Sequence, residues 1–543
     1  MSMARNTAVI ASLTLVSRVL GLARDLVLAA ALGAGPVADA FLAALRFPNL
    51  FRRLFAEGAF AQAFVPIYAK TLAAEGEAKA DGLASEALSV LLAATTALTV
   101  IVILAMPWLN QLLFAGYRHD AAIFELATLL TRVTMPYLMA MTLATLFGGM
   151  LNARGRFVMA AAAQSVLNLT MLLALGPMAL RLLAPKTFGF LHAWPPEQAA
   201  LVAALAVSVA GIGQAGLVWW GARKAGARTR LAWPRLTPDV RRLIAVAVPG
   251  AIAGGALQIN IVVSQALASF EPGAITYLNY ADRLYQLPLG LIGIAVGAAM
   301  LPRLSRLVQA GDGAGARAAL EEAVALSMAF TLPAAAAFLV APYWIIDGVF
   351  TRAAFSAQNA RATADALFHY GWGVPAFVLA KIYAPAFFAR ENTKGPMRFA
   401  LISMAINMAL GACLFFALRA LGLPGFVGLA IATSFSAWAN VALMIRSLAK
   451  RGEYDVLAAL RGRLPRVLAA AAVMAWLVWL AQSQRETLEQ FFGGKEIAVL
   501  LAVGLGALAY AGLAFAFRAV TVKELRSALR REPGNAGPTS FEP

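Results

Sequence analysis

Long apolar runs separated by short polar breaks make up most of the chain. About 20 mostly apolar residues cross a bilayer as a helix. Fourteen stretches meet that length: 8–33, 37–69, 85–108, 122–150, 157–181, 197–222, 239–269, 273–308, 318–345, 359–389, 397–419, 424–448, 465–483 and 497–517. The pattern predicts an all-α polytopic membrane protein with about 14 transmembrane helices. The second and eighth stretches exceed a bilayer's depth. They are expected to extend beyond it or to bend at Pro48 and Pro288, where proline removes a helical hydrogen bond.

The pattern also repeats. Pro136 and Pro375 stand 239 residues apart, Asn168 and Asn407 share that offset, and Pro48 and Pro288 differ by 240. FVPIYAKTLAAEGE at 64–77 answers MLPRLSRLVQAGDG at 300–313, an offset of 236. The expected units are helices 1–6 over residues 1–230 and helices 7–12 over 231–452. Six is even, so both units share one orientation and are related by an axis along the membrane normal. A site between two such lobes, opened alternately to either side through a central cavity, follows from that arrangement. Helices 13 and 14, within 453–520, have no counterpart, and the charged, Gly- and Pro-containing tail at 521–543 is expected to be disordered.

Composition sharpens this picture. The 543 residues are 61% hydrophobic and 13% charged, against about 25% charged in soluble domains. A net charge of +18 suggests nucleic acid at first sight, but in a membrane protein it reflects Lys and Arg kept on the cytoplasmic side. With the N-terminus placed inside, 29 cations fall on the cytoplasmic side and 8 on the other, which predicts both termini inside. Arg18 and Arg24 interrupt the first apolar stretch, which reads as a retained helix rather than a cleaved signal. The single Cys413 excludes an intrachain disulfide and a Cys-based metal site, and His119, His192 and His369 show no zinc spacing. No Gly-rich stretch ends in Gly-Lys-Ser/Thr, and no nucleophile–base constellation emerges. The composition points away from an enzyme and predicts neither metal nor cofactor.

The remaining eight cations lie inside spans: Arg18, Arg24, Arg46, Arg52, Arg53, Arg132, Arg283 and Lys381. Ionisable groups at that depth are costly and normally face a bundle interior or a wet cavity. Five of them crowd the first two helices, beside Asp25, Asp39, Asn49 and Glu57. Guanidinium stays charged and grips phosphate oxygens as a fork, so an arginine-lined cavity suits an anionic, diphosphate-bearing substrate. The competing reading is internal pairing: Arg18 or Arg24 with Asp25, Arg46 with Asp39, Arg53 with Glu57. Pairing would still leave a surplus of cations. Gly21 would let helix 1 bend and turn both Arg18 and Arg24 inward. Pro48 disturbs the wheel of helix 2, so either Arg52 or Arg53 faces the cavity, and Arg53 equally suits snorkelling to the surface. Arg283, with Asp282 as its local alternative partner, would complete the chamber from the second half. Arg132 reads as a helix-end cation, and Lys381 as a lone cation that faces either the cavity or a neighbour.

SRVLGLARD at 17–25, ADAFLAALRFPNLFRRLFAEGAFAQAFVPIYA at 38–69 and YADRLYQLPLGLIGIAVGAAMLPRLS at 280–305 closely resemble the MurJ (MviN) family. These are bacterial lipid II flippases of the multidrug/oligosaccharidyl-lipid/polysaccharide (MOP) exporter superfamily. The resemblance runs through the repeat to helix 12. It implies that the substrate is lipid II, the undecaprenyl-diphosphate-linked disaccharide-peptide, carried from the cytoplasmic to the periplasmic leaflet of the inner membrane. It implies substrate-binding roles for Arg18, Arg24, Arg52 and Arg283, with cavity polar or ion-pair roles for Asp25, Asp39, Arg46, Asn49, Arg53, Glu57 and Lys381. Relatives often carry an acid three residues after Arg283, where this chain has Gln286. Helices 13 and 14 would form a groove for the lipid tail. Membrane lipids and cell-wall synthesis proteins are the expected further partners, and nucleic acid is not one. A drug/cation antiporter, another polyprenyl-diphosphate-oligosaccharide flippase or a membrane scaffold are the alternatives. An antiporter would want unpaired acids where this chain offers surplus arginine.

Overall fold

The computed structural model describes residues 3–52, 60–455 and 463–518. Arg53, Glu57 and the tail at 521–543 lie outside the described residues. Every described element is helical. The first ten helices are α1 (Met3–Leu32), α2 (Pro36–Phe51), α3 (Ala61–Glu75), α4 (Glu77–Leu113), α5 (Ala121–Thr134), α6 (Pro136–Ala153), α7 (Phe157–Leu183), α8 (Pro185–Phe188), α9 (Pro196–Lys224) and α10 (Pro238–Ala268). The rest are α11 (Ala274–Gln309), α12 (Gly313–Val340), α13 (Pro342–Phe350), α14 (Ala357–Gly371), α15 (Val374–Phe388), α16 (Lys394–Ala420), α17 (Gly425–Lys450), α18 (Leu464–Ser483), α19 (Arg485–Phe491) and α20 (Lys495–Ala516). A short 3-10 turn, Ala115–Tyr117, joins α4 to α5.

Among the described residues, helix is found in each of the fourteen expected stretches. Among the described residues, nine helices are long and apolar enough to cross a membrane by composition, or up to ten if one bent pair counts as a span. That pair, α14 and α15, meets at 41°. Prolines mark equivalent breaks in the two halves: Pro136 opens α6 directly after α5, and Pro375 lies in the first turn of α15. Pro48 and Pro288 sit inside helices that continue past them.

The chain forms two compact units. One holds residues Met1–Tyr277 with Phe350–Ala360, the other Leu278–Val349 with Arg361–Pro543. Each has its own buried core, and a set of residues in the two cores is related by one sequence offset. Phe64, Tyr68, Ala80, Ala84 and Leu88 in the first stand to Met300, Leu304, Ala316, Leu320 and Val324 in the second at the offset of 236 found in the sequence. Leu146, Phe147, Met150 and Leu151 stand to Ile382, Tyr383, Ala386 and Phe387 at the same offset. In the first unit α1 packs along α7 and α2 along α5; in the second, α18 packs between α12 and α20.

A proline inside a helix leaves the carbonyl four residues earlier without its donor, and in a bilayer water does not replace it. Three of these carbonyls receive a side chain from a neighbouring helix. Pro48 releases the Ala44 carbonyl, and the buried Thr134 hydroxyl of α5 donates to it at 3.1 Å. Pro107 releases Ile103, which accepts from Arg132 Nε at 3.0 Å. Pro333 releases Ala329, which accepts from the Tyr510 hydroxyl of α20. Arg132 therefore sits in the last turn of α5, as expected of a helix-end cation, and its charge serves the backbone of α4.

Candidate functional site

A buried charged site in the first unit lies where α1 meets α7. Arg24 and Asp25 are 8% and 3% exposed. Arg24 donates to Asp25 Oδ1 from Nε at 3.0 Å and from Nη2 at 2.7 Å, and to Asn168 Oδ1 from Nη1 at 2.9 Å. Asn168 Nδ2 in turn donates to the Ser17 carbonyl at 3.0 Å, which fixes the amide's orientation. Gly21 lies beneath this contact, where an added Cβ would stand 3.6 Å from Asn168 Nδ2. The arrangement makes chemical sense for anion capture. A guanidinium has five N–H bonds, and three of Arg24's are committed to Asp25 and Asn168, which leaves two without a partner among the described residues. Arg18 is half-buried one to two turns earlier on α1, with no ion pair or hydrogen bond among the described residues.

On α2, Asn49 donates to the Leu45 carbonyl at 2.9 Å and accepts from Arg52 Nε at 3.0 Å. Arg52 is thus oriented by the residue one turn before it. Arg46 is half-buried on the same helix. The expected Arg46–Asp39 pair does not form. Seven residues span nearly two turns, about 10 Å along the axis, and the Asp39 oxygens are claimed by other donors. Asp39 is fully buried. Its Oδ1 accepts from the Thr276 backbone N–H at 2.8 Å and from the Thr276 hydroxyl at 2.6 Å. Its Oδ2 accepts from the Gly273 N–H and the Tyr117 hydroxyl, each at 2.7 Å. Asp39 therefore caps the first turn of α11 from a different helix, where a carboxylate is favoured by the exposed N–H groups. Burial, with the Asp39 carboxylate beside it, pushes the Tyr117 hydroxyl well above its ordinary pKa, so it remains a donor.

In the second unit, Arg283 is half-buried on α11 and Lys381 is exposed on α15. Asp282 accepts a hydrogen bond from Gln286, one turn on. The Gln286 amide thus holds the carboxylate of its own helix α11. Among the described residues no cluster of three His, Cys, Asp or Glu could hold a metal.

Sequence reasoning offered Arg18 or Arg24 as the partner of Asp25, and Arg24 takes that place; it did not foresee the bond from Arg52 to Asn49 and missed Asn168 as a partner of Arg24. The available signal was its place in the repeat. Its counterpart Asn407 instead bonds to Thr433 and Ser436 within the second unit, at 3.3 and 3.1 Å. The repeat marked the position but not the partner.

Comparison with known proteins agrees with this fold. The family model described as lipid II flippase MurJ matches residues 28–499. A probable lipid II flippase MurJ of Rhizobium tropici is 39% identical over 98% of this chain and 97% of its own length. Its counterpart in Rhizobium meliloti is 40% identical over 89% of this chain and 87% of its own. Among solved structures, the inward closed conformation of lipid II flippase MurJ superposes with a TM-score of 0.74 at 22% identity, covering 96% of this chain and 99% of that one. An inward-facing MATE family transporter of the MOP superfamily gives 0.62 at 15% identity, covering 82% of this chain and 99% of that one. These two structures share the fold. The chain belongs to the MurJ family of lipid II flippases.

Proposed function

We propose that this multi-pass protein of the bacterial inner membrane moves lipid II across the bilayer by alternating access, with arginines taking the diphosphate. The flipping activity rests on family membership over nearly the whole chain. The protein is a transporter, not an enzyme. The arginine assignment rests on one observation above all. Arg24 is buried and held on one side by Asp25 and Asn168, yet two of its N–H groups have no partner among the described residues. A guanidinium held this way is pre-oriented and still offers a fork to phosphate oxygens. Arg18, Arg52 and Arg283 supply the further cations, while Asn49 fixes Arg52 and Asp25 fixes Arg24. Residues 1–230 and 231–452 act as the two lobes, a reading that rests on the repeat in the sequence. The last two spans, α18 and α20, take the polyprenyl tail, and with the excess of Lys and Arg on one side both termini lie in the cytoplasm.

Leaflet-specific labelling of lipid II in cells depleted of the protein tests the activity. Lipid II should accumulate in the cytoplasmic leaflet and vanish from the outer one. An unchanged distribution, with drug sensitivity as the sole phenotype, would instead favour an antiporter.

A further inference from the structure

Residues 225–237 join α9 to α10 as an extended strap, and α4 holds it with a ladder of side chains. Asp81, Ser85 and Ser89 lie four apart on one face of α4. Asp81 Oδ2 accepts from the Arg228 backbone N–H at 2.7 Å. Ser85 Oγ accepts from the Arg230 N–H, and Ser89 Oγ from the Ala232 N–H, each at 3.0 Å. Four residues of helix advance about 6 Å, and two residues of extended chain about 6.6 Å. The two rows of groups therefore stay in register over three rungs. At the ends, Arg154 donates to the Ala225 carbonyl at 3.0 Å and the Thr237 hydroxyl donates to Glu86 at 2.6 Å. A connection pinned this way is a fixed surface.

That surface is cationic and aromatic. Residues 223–242 hold seven cations and a single acid, Asp239. Arg228, Arg230 and Arg235 are exposed, with no acidic partner among the described residues. The nearby acids are engaged elsewhere: Glu77 with Arg154 at 3.7 Å, Asp239 with Lys79 at 3.9 Å. Trp233 stands 82% exposed among these arginines. At the end of α9, Arg223 and Lys224 lie over the rings of Trp219 and Trp220, both at 5.2 Å. Exposed tryptophans closing an apolar span mark the bilayer's interface, so the strap leaves the span at the level of the lipid headgroups.

We propose that the strap is a docking surface for anionic phospholipids, its arginines meeting headgroup phosphates while Trp233 enters the interface. Basic clusters directly beyond a transmembrane helix have the charge complementarity for such lipids. The surface lies on α4 and α9, apart from the arginines of α1 and α2, and does not depend on the proposed diphosphate site.

Native mass spectrometry of the full-length protein released from mixed phosphatidylglycerol and phosphatidylcholine bilayers tests this. Wild type should retain phosphatidylglycerol preferentially. Combined Arg228→Gln, Arg230→Gln and Arg235→Gln should reduce that preference at least about tenfold. Ser85→Ala with Ser89→Ala should also reduce it, with every cation still present, because the ladder no longer fixes the strap. A control with the same charge loss at the end of α17, Arg446→Gln, Lys450→Gln and Arg451→Gln, should keep the preference. An unchanged preference in the strap variant, an equal loss in the control, or displacement of the lipid by excess inorganic phosphate would each overturn the proposal.

Discussion

Asn168→Asp tests whether the Arg24 site binds an anion. The substitution keeps the side chain's shape and the oxygen that accepts from Arg24 Nη1 at 2.9 Å. It adds a negative charge and removes the amide N–H that holds the Ser17 carbonyl. A phosphate oxygen on the far side of the guanidinium would lie about 6 Å from the new carboxylate. At an effective dielectric constant of about 20, two like unit charges at that distance repel by roughly 2.8 kcal/mol. That equals about a hundredfold in affinity. Asn168→Ala removes the bonds to Arg24 and to the Ser17 carbonyl without adding charge; the one to the charged group is worth about 1.5 kcal/mol at the lower end, or about tenfold. The assay is lipid II exposed on the outer leaflet in cells that carry the variant as sole copy, normalised to membrane-inserted protein. The order should be wild type, then Asn168→Ala, then Asn168→Asp. Wild-type flipping by Asn168→Asp, or an equal loss in both variants, would refute the electrostatic role of this site.

Other consequences follow from the backbone groups that side chains satisfy. Thr134→Val leaves the Ala44 carbonyl above Pro48 without a donor, and should lower stability in detergent by about 1–3 kcal/mol while Thr134→Ser does not. Tyr510→Phe should cost a similar amount at Ala329. Adding Pro333→Ala restores the helical N–H and should recover most of it, so thermal unfolding of the double variant reads the coupling directly. Asp39→Asn turns an amide N–H2 toward donors that now meet a carboxylate oxygen. Amide exchange at Gly273 and Thr276 should accelerate by about tenfold or more.

Much of the fold is legible in the sequence because a bilayer allows few solutions. Backbone groups must be satisfied within the chain, so apolar length alone locates helices. The offset of 236 read between 64–77 and 300–313 also relates core residues of the two units, such as Phe64 to Met300 and Tyr68 to Leu304. Side-chain partners were less visible. Arg24 with Asp25 is a local pair and was among the pairs read from the chain. Arg24 with Asn168 joins residues on two helices 144 positions apart, and no spacing rule reaches that far. Asp39 shows the same limit from the opposite side. A wheel offered Arg46 as partner, but the carboxylate reaches the start of α11, whose unsatisfied N–H groups are stronger claimants than an arginine nearly two turns away. Arg132 read as a generic helix-end cation, whereas its specific task depends on Pro107 lying on the neighbouring helix.

The most direct test of the central claim is equilibrium binding of a polyprenyl diphosphate and a polyprenyl monophosphate to purified protein. Wild type should prefer the diphosphate. Arg24→Ala and Arg283→Ala should each weaken diphosphate binding by at least about tenfold, with a smaller effect on the monophosphate. Undiminished diphosphate binding in both variants would contradict the arginine site.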